Sequence, residues 1–502
     1  IFGNKPNVQL KIPVKTYQLK EEEKQKIEKA LAPLFASQPN ADGLKKEDKI
    51  LLDKFLSEIK ILDPACGSGA FPMGVLLKLK ELREMLGFYP SAYQLKLNIL
   101  SNNIYGVDIM PMATEIARLR SWLSLVLDSD YKPEARNNNF GIDALPNLDF
   151  KFVCANSLID LGLDAFIQES KGTFREEFTR KLVIQLKELE DLRKQFFLPD
   201  VDQSDKVNLK KQYLQRRDKV IKNIEADSEP VLKIIAEKIK NWNPFDDSFT
   251  SPFFSPTWMF GIDKGFDVVI GNPPYGGTYT QTQKKYFSQN YVTAKTISGV
   301  QKGSLDTYSL FIEKGFVNLH KGGNLIYIVP ISITSSDSLT GVHRLIEKNC
   351  EEIKISSYSV RPQPVFENAV VNTSIIFFKK TNTPAQKIYS TKMYRKNIDY
   401  DIRNLVNNLQ FIDVLNYTLN GRYPKISLPI EINILNKIFA QSKSIGEILK
   451  KEGSPIFYRT TGGRYFKVIT NYSTGSTKER AIYFDKVIAN SIGAILSSNL
   501  FF

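Results

Sequence analysis

Two prolines in succession decide how one stretch of this chain folds. In Phe266-Asp267-Val268-Val269-Ile270-Gly271-Asn272-Pro273-Pro274-Tyr275, the run Val268 to Ile270 has the β-branched content of a short buried strand. Pro273 and Pro274 lack backbone donors and have fixed φ, so neither helix nor ladder continues past them and a rigid loop must follow. The loop presents the Asn272 amide, the Pro273 carbonyl and the Tyr275 ring at the C-terminal end of a strand. Ligands of open α/β sheets bind at that end. Amide and carbonyl oxygens accept N–H bonds, and an aromatic ring stacks on a planar group. The segment therefore suits a flat, amino-bearing substrate.

The surrounding pattern is α/β. Ile61-Leu62 reads as a strand, Phe71 to Leu86 as a helix, and Ile104 to Val107 as a strand. Met112 to Leu127 reads as an apolar helix and Phe150 to Val153 as a strand. Such alternation predicts a mostly parallel sheet with crossover helices. The pattern resumes at Phe266, with strands at Asn324 to Pro330 and Ser374 to Phe378. Between its two parts, residues 165–240 are rich in Lys, Glu, Gln and Arg, with Leu182, Ile184, Leu186 and Leu189 at helical spacing. This predicts an inserted pair of long, solvated helices. Gln215-Arg216-Arg217-Asp218-Lys219 within it reads as a solvated helical face or as a phosphate contact.

Residues 1–59 form a helical connector, with an amphipathic helix from Glu21 to Leu34 and a second from Lys46 to Ile59. Beyond 390 the periodicity changes, and a mixed α/β domain is expected to start there and to be cut off at residue 502. The first residue is Ile and the last are Leu500-Phe501-Phe502, which suggests a piece of a longer protein.

Lys and Arg number 68 against 54 Asp and Glu, a net charge of +14. That excess favours a polyanionic partner, nucleic acid foremost, over a mere solubility surface. Cys66, Cys154 and Cys350 share no metal-type spacing, and there are only two histidines, His320 and His343. Neither a zinc site nor a disulfide framework is expected, and a reducing cytoplasm fits. No apolar run reaches transmembrane length, so no membrane partner is expected.

Asp63-Pro64-Ala65-Cys66-Gly67-Ser68-Gly69 lies between a strand and a helix. Its glycines permit a tight turn and close approach of a ligand. It is neither a Walker loop nor a dinucleotide fingerprint, and its leading acid suits a ligand carrying an ammonium group. Asp108 ends the next strand, where an acid accepts from ribose hydroxyls or favours the following helix N-terminus.

DPACGSG followed by GNPPY, in that order and with a further domain after both, resembles the gamma class of N6-adenine DNA methyltransferases that use S-adenosyl-L-methionine. Within that class the chain is similar to the methylase region of type IIG restriction–modification enzymes and related phage-defence methyltransferases. Tyr105-Gly106-Val107-Asp108 and the helical insertion fit the same subgroup. The resemblance covers residues 60–380 well and 390–502 weakly.

It implies a Rossmann-like methyltransferase domain of residues 60–164 and 241–385, a helical insertion at 165–240, and the start of a DNA-recognition domain at 390–502. Asp63, Pro64, Ala65, Cys66, Gly67 and Gly69 would surround the methionine end of the cofactor, and Asp108 and Ile109 its ribose. Asn156, with Ser157 beside it, stands where the family often has an Asp that reads the cofactor's adenine. Asn272, Pro273, Pro274 and Tyr275 would hold the target base. Phe366 matches an aromatic that stacks on the base's other face, or is a core residue. The family's upstream Tyr-Thr-Pro motif is not found. Arg459 and Arg464, in a stretch with Gly462 and Gly463, suit base-edge and phosphate contacts or a plain β-turn.

The resemblance thus implies adenine-N6 methylation of double-stranded DNA by base flipping, within a restriction or phage-defence system. NPPY also serves RNA and protein-glutamine methyltransferases, and a catalytically inactive DNA-specificity subunit is the alternative from another class. Glu58-Ile59-Lys60 fits a bare E-x-K nuclease pair, but it lies at the first strand, so any nuclease domain is expected before residue 1.

Overall fold

A computed structural model describes residues 29–36, 39–88, 91–129, 132–134, 148–196, 203–246, 249–366, 370–396, 408–419, 421–459 and 469–497. The expected helix from Glu21 lies outside them as far as residue 28. The chain divides into two compact units, Ile1–Ser427 and Leu428–Phe502.

Among the described residues the first unit has nine strands: β1 Ile61–Asp63, β2 Ile104–Asp108, β3 Phe152–Cys154, β4 Phe266–Gly271, β5 Leu319–Pro330, β6 Cys350–Ser359, β7 Thr373–Lys380, β8 Lys387–Arg395 and β9 Ile412–Asp413. They join in the order β3-β2-β1-β4-β5-β7-β6-β8-β9. The first five in that order are parallel. β7 enters antiparallel between β5 and β6. This is the expected α/β, Rossmann-like class with a mostly parallel sheet.

The helices in chain order are α1 Lys46–Glu58, α2 Ala70–Leu86, α3 Ala92–Asn102, α4 Pro111–Val126, α5 Leu163–Glu169, α6 Glu176–Gln195, α7 Gln203–Glu225, α8 Pro230–Lys240, α9 Pro256–Phe260, α10 Gln281–Asn290, α11 Thr307–Asn318 and α12 Thr340–Asn349. Alternate strand residues divide between two cores, as the two-residue period requires. Ile61, Ile104, Phe152, Val268 and Ile270 pack with Leu76 of α2, Ile99 of α3 and Leu125 of α4. Leu62, Tyr105, Val107, Val153 and Val269 belong to the other core, which takes in α6, α7 and α8.

The insertion is thus not a solvated pair of helices. Three long helices follow the short α5, and they form the second layer against β1–β3. Leu182, Leu186 and Leu189 are at most 5% exposed, whereas Ile184, two residues from Leu182 and Leu186 and so on the opposite face of the helix, is 55% exposed. Lys and Glu dominate the composition because they coat the outer faces, while one apolar stripe per helix suffices for burial. Arg217 of the basic stretch is likewise drawn in, donating to the Trp242 carbonyl at 3.1 Å.

Compact packing continues past the change of periodicity at 390. β8 pairs in parallel with β6, and β9 closes the edge against β8. The second unit holds an antiparallel sheet of β10 Ser454–Arg459, β11 Ile469–Thr470 and β12 Glu479–Phe484 in the order β11-β10-β12. Its core joins Ile456, Phe484 and Ala489, the last on the helix Lys486–Leu496. Among the described residues no helix is long and apolar enough to cross a membrane.

Candidate active site

Because β3, β2, β1 and β4 are adjacent and parallel, their C-terminal ends open on one edge. The loops leaving that edge carry Asp63–Gly69 after β1, Asp108 and Ile109 after β2, Asn156 and Ser157 after β3, and Asn272–Tyr275 after β4. Residues more than two hundred positions apart are therefore brought to one edge of the sheet.

The glycine loop is fixed from several sides. Gly67 and Gly69 take φ of +53° and +84°, the left-handed region that glycine tolerates. A Cβ on Gly69 would lie 3.0 Å from the Ala117 Cβ, so α4 sits directly against the turn. The Cys66 N–H donates to the Val107 carbonyl at 2.9 Å and the Gly67 N–H to Asp108 Oδ2 at 2.8 Å. Ser157 Oγ donates to the Pro64 carbonyl at 2.6 Å, tying in the loop after β3. The other oxygen of Asp108 accepts from Met110 N–H at 2.9 Å, so both oxygens are aimed by the backbone. Ile109 leaves 54% of its surface exposed beside it.

Asn156 uses Oδ1 to accept the Leu158 N–H at 3.1 Å, which closes a local turn and orients the amide. The carbonyl oxygen keeps a second lone pair. Cys66 is buried, and its thiol is pushed well up, first by burial and then by Asp63 and Asp108. That environment disfavours a thiolate nucleophile.

Asp63 is 2% exposed, and its Oδ1 accepts the Ala65 N–H at 3.1 Å. Burial, with a further push from Asp108, raises its carboxyl to about 8 against the lowering effect of the Ala65 bond. The ligand-free carboxyl is therefore protonated at neutral pH and is poised to ionise against a cation. Gly271 meets it from the far side. A Cβ there would lie 2.7 Å from Asp63 Oδ1, so the glycine loop and the Asn-Pro-Pro-Tyr loop are in direct contact.

In the second loop the Tyr275 hydroxyl donates to Asn272 Oδ1 at 2.8 Å. Half-burial pushes that hydroxyl up to about 12, so it remains a donor at neutral pH. Pro273 is buried and Pro274 exposed. Farther on, Gly277 packs where a Cβ would lie 2.6 Å from Thr307 Oγ1, and Tyr279 donates to the same oxygen at 2.7 Å. The loop is thus held at both ends, with the Tyr275–Asn272 bond between them.

Phe366 is half-buried in the connection from β6 to β7. β6 and β7 are antiparallel, and Ile331 N–H donates to the Asn372 carbonyl at 2.9 Å, so this connection returns to the edge where β5 ends. Among the described residues no ring contact joins Phe366 to Tyr275. Arg459 ends β10 in the second unit, and Arg464 lies outside the described residues. Lys60 of the E-x-K pair is committed to the fold, its Nζ donating to the Asn102 carbonyl at 2.6 Å and its N–H to Asp267 Oδ2 at 2.7 Å.

The arrangement also depends on residues that motif reading passes over. Gly106 leaves no room for a Cβ, which would come 2.6 Å from Phe152 and 2.9 Å from Cys66 Sγ. Gly271 carried a signal as the glycine immediately before Asn272. Thr307 carried none, since its value lies only in where α11 begins.

The model of the Eco57I restriction-modification methylase family matches residues 102–366, more than half of the chain. The chain belongs to the Eco57I restriction-modification methylase family. The family match runs from β2 to Phe366 and so includes Asp108, Asn156 and the Asn-Pro-Pro-Tyr loop. The chain is similar to the putative type II restriction enzyme and methyltransferase RM.MjaORFECS2P of Methanocaldococcus jannaschii, with 26% identity over 422 residues, 73% of this chain and 34% of that protein. It is also similar to the adenine-specific methyltransferase BrxX of Escherichia coli O9:H4 (strain HS), with 23% identity over 73% of this chain and 29% of that protein. The chain spans about a third of the length of these curated relatives. Among solved structures, the ATP-dependent Type ISP restriction-modification enzyme LlaBIII bound to DNA aligns with a TM-score of 0.41 and 13% identity, over 80% of this chain and 22% of that one.

Proposed function

We propose that this chain is the methyltransferase part of a restriction or phage-defence protein and transfers a methyl group from S-adenosyl-L-methionine to N6 of adenine in double-stranded DNA. One observation carries the reading. The glycine loop and the Asn-Pro-Pro-Tyr loop end adjacent parallel strands and touch through Asp63 and Gly271, so a donor and an acceptor site lie side by side.

The residues fit the cofactor. Gly67 opens a cradle in which a Cβ would meet nothing within 4 Å. Asp63 offers a buried carboxyl for an ammonium group, Asp108 a backbone-oriented carboxylate for ribose hydroxyls, and Ile109 an exposed apolar face. Asn156 and Ser157 close the adenine side. When bound, S-adenosyl-L-methionine supplies an electrophilic methyl on a sulfonium.

The chain's own task is to position a weak nucleophile. Asn272 Oδ1 and the Pro273 carbonyl accept the two N–H groups of the adenine amino nitrogen. They favour its tetrahedral form and stabilise the positive charge that develops on it. Placement beside the donor makes the displacement effectively intramolecular. No covalent enzyme intermediate is needed, consistent with the buried Cys66 thiol. The base leaves the duplex to reach the loop, and stacking on Tyr275 offsets part of the few kcal/mol of unpairing. Phe366, on the same edge, takes the other face of the base. The second unit, with Arg459 on β10 and Arg464 after it, begins the DNA-recognition part.

The test is methyl transfer from tritiated cofactor to duplex DNA, single-stranded RNA and a glutamine-bearing protein, with the wild type and Asn272→Ala. Transfer to duplex DNA, lost in the variant, is expected. Transfer to RNA or protein instead would redirect the substrate, and an active Asn272→Ala would overturn the mechanism.

A further inference from the structure

A second concave site lies away from the two loops, at the same edge of the sheet. It is a cleft of about 670 Å³ between a short hairpin, the first turns of α12 and the stretch that carries Gly421 and Arg422. The hairpin is built around Ser298 and Gly299, with Gly299 at φ +68°. Ile297 and Gln301 exchange both backbone N–H···O bonds at 2.9 Å across it.

The hairpin is firmly seated. Gln301 is 7% exposed and donates through Nε2 to the Val292 and Lys295 carbonyls. The Lys302 N–H donates to Thr340 Oγ1 at 2.9 Å, which fastens the hairpin to the N-terminus of α12. Glu313 of α11 receives the Val292 and Thr293 N–H groups at 2.8 Å, and this fixes the turn that leads in. α11 is the same helix whose Thr307 anchors the end of the Asn-Pro-Pro-Tyr loop. One element therefore sets both the catalytic loop and the hairpin.

The lining chemistry suits an anion. Lys302, Arg344 and Arg422 face Asp337 and Glu347. Arg422 is satisfied by an ion pair with Asp337. Glu347 is taken by the Tyr423 hydroxyl, which donates to its Oε1 at 2.6 Å. Burial also pushes the Glu347 carboxyl up. Among the described residues neither Lys302 nor Arg344 has a carboxylate at ion-pair distance, although Arg344 acts on Glu347 from beyond it, against the upward push of burial. His343, 2% exposed, donates through Nε2 to the Ile333 carbonyl at 2.7 Å, and Gly421 packs against its other ring nitrogen. The hydroxyls of Thr296 and Ser298 on the hairpin add neutral donors beside Lys302 and Arg344.

We propose that this cleft binds the phosphodiester backbone of duplex DNA beside the flipped base, with Lys302 and Arg344 on phosphate oxygens and the hairpin hydroxyls adding neutral donors. The inference rests on the reading of the protein as a DNA methyltransferase and names a second contact for that substrate. Phosphate contacts fix register and orientation without reading sequence. The cleft therefore contributes to binding every duplex, and its effect is on DNA affinity rather than on the chemical step.

The experiment measures binding of a fluorescent, mixed-sequence duplex to the full chain over a series of salt concentrations. The proteins compared are wild type, Lys302→Gln, Arg344→Gln and the double variant. Each single variant is expected to weaken binding and to lower the slope of log affinity against log salt by about 1, and the double variant by about 2. Cofactor binding should remain that of the wild type. Lys302 is exposed, so its replacement leaves the fold intact even if Arg344→Gln does not. A wild type that binds duplex DNA with a salt slope unaltered in Lys302→Gln and in the double variant overturns the cleft alone. A wild type that binds no duplex at all overturns the DNA reading together with it.

Discussion

The glycine loop and the Asn-Pro-Pro-Tyr loop stand side by side on the sheet, yet they are built in opposite ways. The first is held by bonds to the loops after β2 and β3, by two left-handed glycines and by the close approach of α4. The second is anchored at its ends, at Gly271 and at Gly277, and among the described residues the Asn272 and Tyr275 side chains hydrogen-bond to each other alone. A site for a cofactor of constant shape gains from rigidity, because preorganised groups lose little on binding. A site that must receive a base swung out of a duplex needs groups that can exchange an internal partner for the substrate. On the proposed function, the Tyr275–Asn272 bond would satisfy the acceptor oxygen until the base arrives.

This contrast can be broken most sharply at Asn272. Asn272→Ala should lower methyl transfer by about a hundredfold to a thousandfold, as for loss of one preorganised polar group at a reacting centre. Cofactor affinity, measured by calorimetry, should stay unchanged, and a loss there would show that the loops are not separable.

Asp63→Asn comes next. Removing the buried carboxyl should weaken cofactor binding by roughly tenfold to a hundredfold, the range for a hydrogen bond to a charged group. The wild-type pH dependence follows from its raised carboxyl. Below about 8 the ligand-free group holds a proton that an ammonium ligand must displace, so affinity should rise with pH up to about 8 and level off above it. Between the ordinary carboxylate value of 3.8 and about 8 the folded chain binds one proton more than the unfolded chain. Stability is therefore fully present below that window and falls as pH rises through it. Thermal melts of Asp63→Asn should lack this fall and lie above the wild type at pH 8.

Gly271→Ala sharpens the contact between the loops. Its Cβ would press on Asp63 Oδ1, and overpacking of this kind costs about 1–3 kcal/mol. Cofactor affinity and methyl transfer should fall together, whereas a fall in transfer alone would show that the strain is absorbed in the second loop. Tyr275→Phe should have the smallest effect. It keeps the stacking ring and removes only the internal bond, so the catalytic constant should change by less than about threefold, with an unchanged or lower KM for DNA. A loss as large as that of Asn272→Ala would mean that the hydroxyl itself acts on the base.

Much of this is legible in the sequence alone. The strands β1, β2, β4 and β5 announce themselves as short apolar runs, because parallel strands are buried on both faces. The two loops were legible through Gly67, Gly69, Pro273 and Pro274, whose backbone constraints are strong and local. The insertion was misread because its composition is set by its outer faces, and a single buried stripe is a weak signal amid lysine and glutamate. β8 was missed because Lys387-Ile388-Tyr389-Ser390-Thr391-Lys392 reads as polar, although Ile388, Ser390 and Thr391 are buried against the sheet. The contact between Asp63 and Gly271 could not be read at all. It exists only because β1 and β4, distant in sequence, become neighbours in the sheet.

That contact bears on how such proteins can be recombined. A chimaera whose junction falls between β1 and β4 joins Asp63 from one parent to residue 271 from the other. If the second parent carries a side chain there, the hybrid inherits a collision at its centre although each half is intact. Exchanges meant to give new DNA specificity should therefore keep β1 through Tyr275 as one heritable block and place their junctions downstream.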